Sequence, residues 1–249
     1  MGGVYRRVLS LPDGPGVLEL EPRADRVRVG LDGIRETDVS AARTAAARIA
    51  DVDHDPEAVA YQFAEDPVLG ALSAARPGVR VPGAPDPFEV LVRAVVGQQI
   101  SVAGARTLLG ELARRFGAAL PSAAGALRHA FPEPAALAAA DPSTLPMPRA
   151  RGATLVALAG AGLSFSGDPE EVSRVLQEHR GVGPWTAGYV RMRGLGDPDV
   201  LLAGDLILDR ALADTDPAPL LEPLPLLRDD PVVGGSPLSL RPRSPPGPP

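Results

Sequence analysis

A chain of 249 residues, 45% hydrophobic and 22% charged, is long enough to bury one large core or two modest ones. Its 25 basic side chains are all Arg, which excludes lysine Schiff-base chemistry, and the absence of Cys excludes disulfides, zinc-cysteine sites and cysteine-held iron–sulfur clusters. The formal net charge of -6 argues against a protein that coats nucleic acid by bulk electrostatics, but leaves room for a local site in which backbone amides grip a phosphate.

Residues 4 to 31 alternate in the manner of strands. Leu9 and Leu11, then Leu18 and Leu20, then Val27, Val29 and Leu31 are the apolar members, and the turn-forming Pro12-Asp13-Gly14-Pro15-Gly16 separates the first two runs. The pattern predicts a small antiparallel β-sheet, and the Ala-rich stretch Thr37 to Ile49 predicts a helix packed on it; together they form an N-terminal domain over residues 1–52. Nothing at the N-terminus reads as a secretory leader, and no apolar run reaches the roughly 18 residues needed to span a bilayer. The expectation is a cytoplasmic protein with no membrane partner.

From about residue 53 one punctuation recurs: Asp55-Pro56, Asp66-Pro67, Asp86-Pro87, Asp141-Pro142 and Asp168-Pro169 each precede a helix-like stretch. Asp at the N-cap accepts free amide donors, and Pro at the first helical position has no amide to lose. Glu89 and Glu171, three residues after Asp86 and Asp168, predict capping boxes. Between Phe88 and Phe116, Leu91, Val95, Val102, Leu108, Leu109, Leu112 and Phe116 supply apolar faces, interrupted by Gly97-Gln98-Gln99, so two helices with a tight junction fit. The fold class is therefore mainly α, a helical domain over residues 53–215 behind an α+β N-terminal domain. The stretch 216–249 holds 11 prolines in 34 residues with no sustained period, and is expected to be disordered.

The most informative segment runs from Val172 to Gly196. A helix carrying Val172, Val175 and Leu176 meets Gly181-Val182-Gly183-Pro184, and a second helix begins at Pro184 and carries Trp185, Tyr189, Val190 and Met192. Two glycines let the chain turn sharply and Pro184 presets the next helix. Amides around Gly181, Gly183 and the following turn would point outward together, making a phosphate nest at the positive end of a helix dipole. An ordinary interhelical turn with a Gly cap is the commoner meaning of a lone Gly-x-Gly.

Three blocks decide between these meanings: Pro87 to Leu112 (PFEVLVRAVVGQQISVAGARTLLGEL), Gly181 to Val200 (GVGPWTAGYVRMRGLGDPDV) and Leu201 to Leu212 (LLAGDLILDRAL). In order and spacing they resemble the helix-hairpin-helix DNA glycosylase superfamily, and within it the DNA-3-methyladenine glycosylase II (AlkA) type. The likeness covers roughly residues 4 to 215, the N-terminal sheet resembling that family's N-terminal domain without its front portion. It implies a helix-hairpin-helix at about 171–193, with Gly181, Val182, Gly183, Pro184 and Thr186 on the DNA backbone. Implied too are base-excision repair of double-stranded DNA containing alkylated bases such as 3-methyladenine, and a monomeric enzyme near the nucleoid.

Carried over by position, Asp205 stands where the family keeps its catalytic Asp, which would stabilise positive charge on the deoxyribose as the N-glycosidic bond breaks. Taken alone, Asp205 reads as the N-cap of a helix at Leu206-Ile207-Leu208. Asp209 is a poorer candidate, and Asp197 and Asp199 look like turn and cap residues. Superfamily members that also nick the strand carry a catalytic Lys where this chain has Trp185, so no AP-lyase activity is expected and water is the nucleophile. Trp185 and Tyr189 share a helix face at i, i+4 spacing and could wall a base pocket, where a cationic alkylated base over an aromatic face gains roughly 0.5–2 kcal/mol; core packing is the plainer use.

The target nucleotide must leave the duplex. In the family the turn matching Gly97 to Ser101 fills the gap, making Gln99 or Ile100 the intercalating side chain, with Gln98 read as a plain junction residue. His54, His129 and His179 form no metal pattern, so neither a metal nor an organic cofactor is expected, although family hairpins can hold a monovalent cation through main-chain carbonyls. Relatives continue past the catalytic loop with a Trp-rich helical segment, whereas Trp185 is the only Trp here. The expectation is open apolar surface around the Asp205 helix, and the competing reading is a catalytically impaired DNA-binding remnant.

Overall fold

The alternating N-terminal segment folds as three antiparallel strands, β1 (Tyr5–Leu9), β2 (Gly16–Pro22) and β3 (Val27–Asp32), in that spatial order, with Val8 opposite Val17 and Leu20 opposite Val29. The computed structural model describes residues 3–23, 26–66, 69–202 and 204–214; the Pro-rich stretch 216–249 lies outside them. Successive strand side chains point to opposite faces. Leu9, Leu18 and Leu20 accordingly pack on Ala42, Ala45, Ala46 and Ile49 of α1 (Val39–Ala50), while Val8 and Val17 turn the other way, onto Leu127 and Ala130.

Two short helices follow, α2 (Pro56–Gln62) and α3 (Leu69–Ala75), neither with a buried residue. The helical body begins at α4 (Pro87–Gly97) and α5 (Val102–Phe116). A two-stranded hairpin, β4 (Ala119–Ala124) and β5 (Leu127–His129), comes next and backs the N-terminal sheet; its small, Ala-rich sequence carries no alternating signal, and Pro121 is tolerated because β4 has β5 on one side only. Then come α6 (Pro134–Ala138), α7 (Arg149–Gly160), α8 (Pro169–Gln177), α9 (Pro184–Val190), a π-helical turn over Arg191–Leu195, and α10 (Leu206–Asp214). Among the described residues no helix is long and apolar enough to cross a membrane.

The Asp-Pro starts act largely as their chemistry suggests. Asp55, Asp86 and Asp168 each accept an amide at the first turn of α2, α4 and α8, and Asp66 accepts the Leu69 amide that opens α3. Asp141 caps only a single 3-10 turn, Pro142–Thr144. The capping boxes expected at Glu89 and Glu171 do not form. Glu89 is buried and paired with Arg7 and Arg93, and Glu171 pairs with Arg174, because a guanidinium within reach is a stronger partner for a carboxylate than one backbone amide.

The main core gathers Leu91, Val95 and Val96 of α4, Leu109 and Leu112 of α5, Leu137 of α6, Leu155 and Leu158 of α7, Leu176 of α8, and Ala187 and Val190 of α9. Each fully buried Leu or Val stabilises by roughly 1.5–3 kcal/mol relative to exposure. Helices α5, α7 and α9 pack directly on α4, which is buried nearly all round, while α6 lies on α7 and α8 on α9. Gly194 lets the π turn close on the start of α4, since a Cβ there would lie 3.1 Å from Pro87, and the Ala84 amide donates to Arg193 O at 3.0 Å. These contacts fix α9, and with it Trp185 and Tyr189, against the core.

Candidate active site

Residues 178–183 turn the chain between α8 and α9. Gly181 has φ +89, a left-handed conformation that L side chains rarely adopt, and a Cβ there would lie 2.9 Å from the Thr154 side chain of α7. Gly183 is the extended N-cap of α9, with Pro184 at the first helical position. Gly181, Gly183 and Pro184 are exposed, whereas the residues Val182 and Thr186 are only 6% and 3% exposed. The hairpin therefore presents main chain outward and turns those two side chains inward.

The ring of Tyr189 stacks on that of Trp185, centroids 5.1 Å apart and planes 9° from parallel. Tyr189 also packs on the main core, so its ring joins core to site, and Trp185 lies half-buried over it. The Trp185 indole Nε1 donates to Asp205 Oδ2 at 3.0 Å, while Asp205 Oδ1 accepts the amides of Ile207 and Leu208, each at 3.0 Å. Asp205 is therefore the cap of α10 and at the same time the polar partner of the aromatic pair; the two roles use different oxygens. Each carboxylate oxygen can accept more than one hydrogen bond, so acceptor capacity remains on Oδ2.

The loop before Asp205 reaches α9 over Gly188, where a Cβ would lie 3.3 Å from Leu202. It is tied by Asp197, whose carboxylate accepts Arg191 Nε at 2.7 Å and the Asp199 amide at 2.9 Å, a turn-forming pair. Burial pushes the Asp197 carboxyl up, but the Asp199 amide and the Arg191 guanidinium together outweigh it and hold it below the usual carboxylate range. Asp209, exposed, lies one turn into α10 and gives its amide to Asp205 O. Leu201 and Leu206 are 74% and 70% exposed, and Ile207 is exposed too, which matches the open apolar surface expected there.

The α4–α5 turn lies against the hairpin. Gln98 Nε2 donates to Gly181 O at 3.0 Å and to Thr186 Oγ1 at 3.2 Å, and Arg151 Nη2 donates to Gln98 O at 2.6 Å. Gln99 is exposed with φ +58, and Ile100 beside it is also exposed. The structure so brings Gln98, Gly181 and Thr186 together, and separately Trp185, Tyr189 and Asp205, on two sides of the first turn of α9. Sequence reasoning missed Arg151 and Thr154. Neither carries a signal: one Arg among 25 and a Thr in a helix say nothing of the turns they brace. Among the described residues no group of three or more His, Asp or Glu is placed to hold a metal ion.

The family model for the AlkA N-terminal domain matches residues 1–86, ending at the Asp that caps α4. The chain is 41% identical over 212 residues to the "Probable bifunctional transcriptional activator/DNA repair enzyme AlkA" of Mycobacterium tuberculosis. That match covers 82% of this chain and 42% of the relative, so the chain spans less than half that protein's length. It is 34% identical over 225 residues to DNA-3-methyladenine glycosylase 2 of Escherichia coli, covering 86% of this chain and 77% of that protein. The chain belongs to the DNA-3-methyladenine glycosylase 2 family. Two solved structures place this family member's fold. The 3-methyladenine DNA glycosylase from Archaeoglobus fulgidus aligns with a TM-score of 0.74 at 24% identity, over 88% of this chain and 78% of that one. The Clostridium acetobutylicum 8-oxoguanine glycosylase/lyase, solved with double-stranded DNA, aligns with a TM-score of 0.65 at 18% identity, over 87% and 78%. The small sheet followed by the helical body is thus the architecture this chain shares with those two glycosylases.

Proposed function

We propose that this chain is a monofunctional DNA glycosylase that hydrolyses the N-glycosidic bond of alkylated purines such as 3-methyladenine in double-stranded DNA, acting as a monomer in the cytoplasm. The observation that carries the reading is the 3.0 Å contact between the Trp185 indole N–H and the Asp205 carboxylate, with Tyr189 stacked behind. Three N–H donors hold that carboxylate in one orientation beside an aromatic surface, which is the equipment an oxocarbenium-forming cleavage needs.

In the proposed reaction the hairpin amides around Gly181 and Gly183 hold a backbone phosphate, Gln99 or Ile100 fills the stack, and the extruded base lies against the aromatic pair. An alkylated ring nitrogen makes the base cationic. As the C1′–N bond breaks its electron pair leaves with the base, which departs neutral, while positive charge builds on the sugar and is stabilised by Asp205. Water adds to C1′, and its proton passes to Asp205 or to solvent. With no Lys in the chain, a lysine imine to the sugar is unavailable and the strand is left unnicked. This chemistry calls for no cofactor. The carbonyls of His179 and Gly181 each accept one hydrogen bond and keep a second lone pair, so the hairpin main chain could still ligate a monovalent cation.

The test is release of methylated bases from alkylated duplex DNA. Asp205→Asn should abolish release and leave duplex binding nearly intact, because Asn still accepts the two α10 amides. An unmodified chain that binds DNA and releases no base would instead identify a DNA-binding remnant.

A further inference from the structure

We propose that Gln98 is a positioning residue that locks the α4–α5 turn to the hairpin, so that the side chain entering the base stack and the amides holding the backbone move as one body. The proposal rests on the glycosylase reading above and adds to it how the two DNA contacts are coupled.

Both Gln98 amide hydrogens are committed to the hairpin, one to Gly181 O and one to Thr186 Oγ1, across 83 and 88 residues of sequence. The Gln98 main chain is held from a third element. Arg151 of α7 donates to Gln98 O and, at 3.4 Å, to Val96 O, two carbonyls at the C-terminal end of α4 that the helix itself leaves without partners. Thr154, one turn further along α7, lies where Gly181 turns. One helix therefore braces both turns, and Gln98 joins them directly. Next to this anchored residue, Gln99 is held at φ +58 and Ile100 projects to solvent.

The arrangement has a mechanical consequence. Opening a base step costs a few kcal/mol, and the wedge that opens it feels an equal tendency to recoil. If the turn could slide on the hairpin, the free energy of gripping phosphate would not reach the wedge. A primary amide suits the joint because it donates twice; an apolar side chain would leave the Gly181 carbonyl and the Thr186 hydroxyl short of a donor. The interaction matters most once the stack is open, so its loss should fall on the reacting complex rather than on encounter with DNA.

The test compares Gln98→Ala and Gln98→Glu in the full chain. Both should melt as cooperatively as the parent, slow base release at saturating DNA by about tenfold and change KM by less than about twofold, the pattern of an interaction that counts for more in the reacting complex than in the encounter with DNA. Glu has the size of Gln but, as a carboxylate, no hydrogen to donate. Its activity relative to the parent should therefore recover as pH falls and the carboxyl gains a proton to give to Gly181 O, whereas Gln98→Ala shows no recovery. Hydrogen exchange on the free protein should quicken at residues 98–101 and 181–183 together in both variants. Unchanged release, a loss confined to KM, or faster exchange in one turn alone overturns the proposal. A parent chain that releases no base defeats the glycosylase reading, and the exchange measurement then still decides whether the two turns are coupled.

Discussion

Arg7 on β1 and Glu89 on α4, 82 residues apart, meet at 2.6 Å with side chains 3% and 2% exposed. Glu89 also takes Arg93 Nη1 at 3.2 Å, so one buried carboxylate joins the N-terminal sheet to the most buried helix of the body. A carboxylate taken from water without its partner is expensive, and removing one member of such a pair costs about 3–5 kcal/mol. Arg7→Met should therefore lower the melting temperature by roughly 10 °C. Arg7→Met combined with Glu89→Leu should regain much of that loss, because both desolvation penalties disappear together. Denaturant unfolding of the single and double variants measures this directly; a single-variant loss below about 1 kcal/mol, typical of an exposed pair, would mean that the joint is not structural.

Trp185→Phe isolates the indole hydrogen. Phe keeps an aromatic ring to stack on Tyr189 but has no donor for Asp205 Oδ2, leaving the carboxylate held by two amides on one oxygen. A hydrogen bond to a carboxylate is worth about 1.5–3 kcal/mol, and each ~1.4 kcal/mol is tenfold in rate, so base release should slow by at least about tenfold. The unfolding midpoint should hardly move, since Trp185 is only half-buried. Equal single-turnover rates for the variant and the parent would show that the indole only packs.

The two hairpin glycines should separate folding from DNA contact. Gly181→Ala places a Cβ 2.9 Å from Thr154 in a backbone at φ +89, and should destabilise by about 1–3 kcal/mol. Gly183 is different: it has ordinary extended φ and no atom within 4 Å of an added Cβ. Gly183→Ala should melt with the parent yet bind duplex DNA more weakly, because the methyl stands between the outward main chain and a phosphate. Fluorescence anisotropy with a labelled duplex checks it, and undiminished affinity would remove the close backbone approach from the proposed grip.

Much of this architecture was legible because its signals are local. Period-two alternation marked β1 to β3, and Asp-Pro pairs marked the starts of α2, α4 and α8, where the cap and its amide are two or three residues apart. The β4–β5 hairpin was not, since Ala-rich strands carry no face, and its place is set by Val8 and Val17 more than a hundred residues earlier. The same distance rule governs the site. Glycine turns and an Asp at set spacing could be read in order, and they suggested which residues to watch. That Asp205 meets an indole nitrogen, that Gln98 gives both its hydrogens to the hairpin, and that Glu89 abandons its cap for Arg7 are tertiary choices between competing partners. Local spacing offers Glu89 an amide and, four residues on, Arg93; only the folded chain brings it Arg7.

The loop leading to Asp205 should respond to acid through Asp197. Its carboxyl is held below the ordinary value of 3.8, so the folded protein binds that proton less readily than the unfolded chain does. Stability from the Arg191–Asp197 pair is therefore fully present above the unfolded value and is lost as pH falls through the lower folded value. Asp197→Asn keeps an acceptor for the Asp199 amide but gives up the charge opposite Arg191. The variant should be less stable than the parent by roughly 1–2 kcal/mol near neutrality, and the gap should close at pH values below the ordinary carboxylate range. Parallel urea titrations at neutral and acid pH measure the gap at each. A constant difference across that window would mean that the variant acts through loop geometry rather than charge. A vanishing one ties the π turn, and the loop that delivers Asp205 to Trp185, to the ionised state of a single side chain.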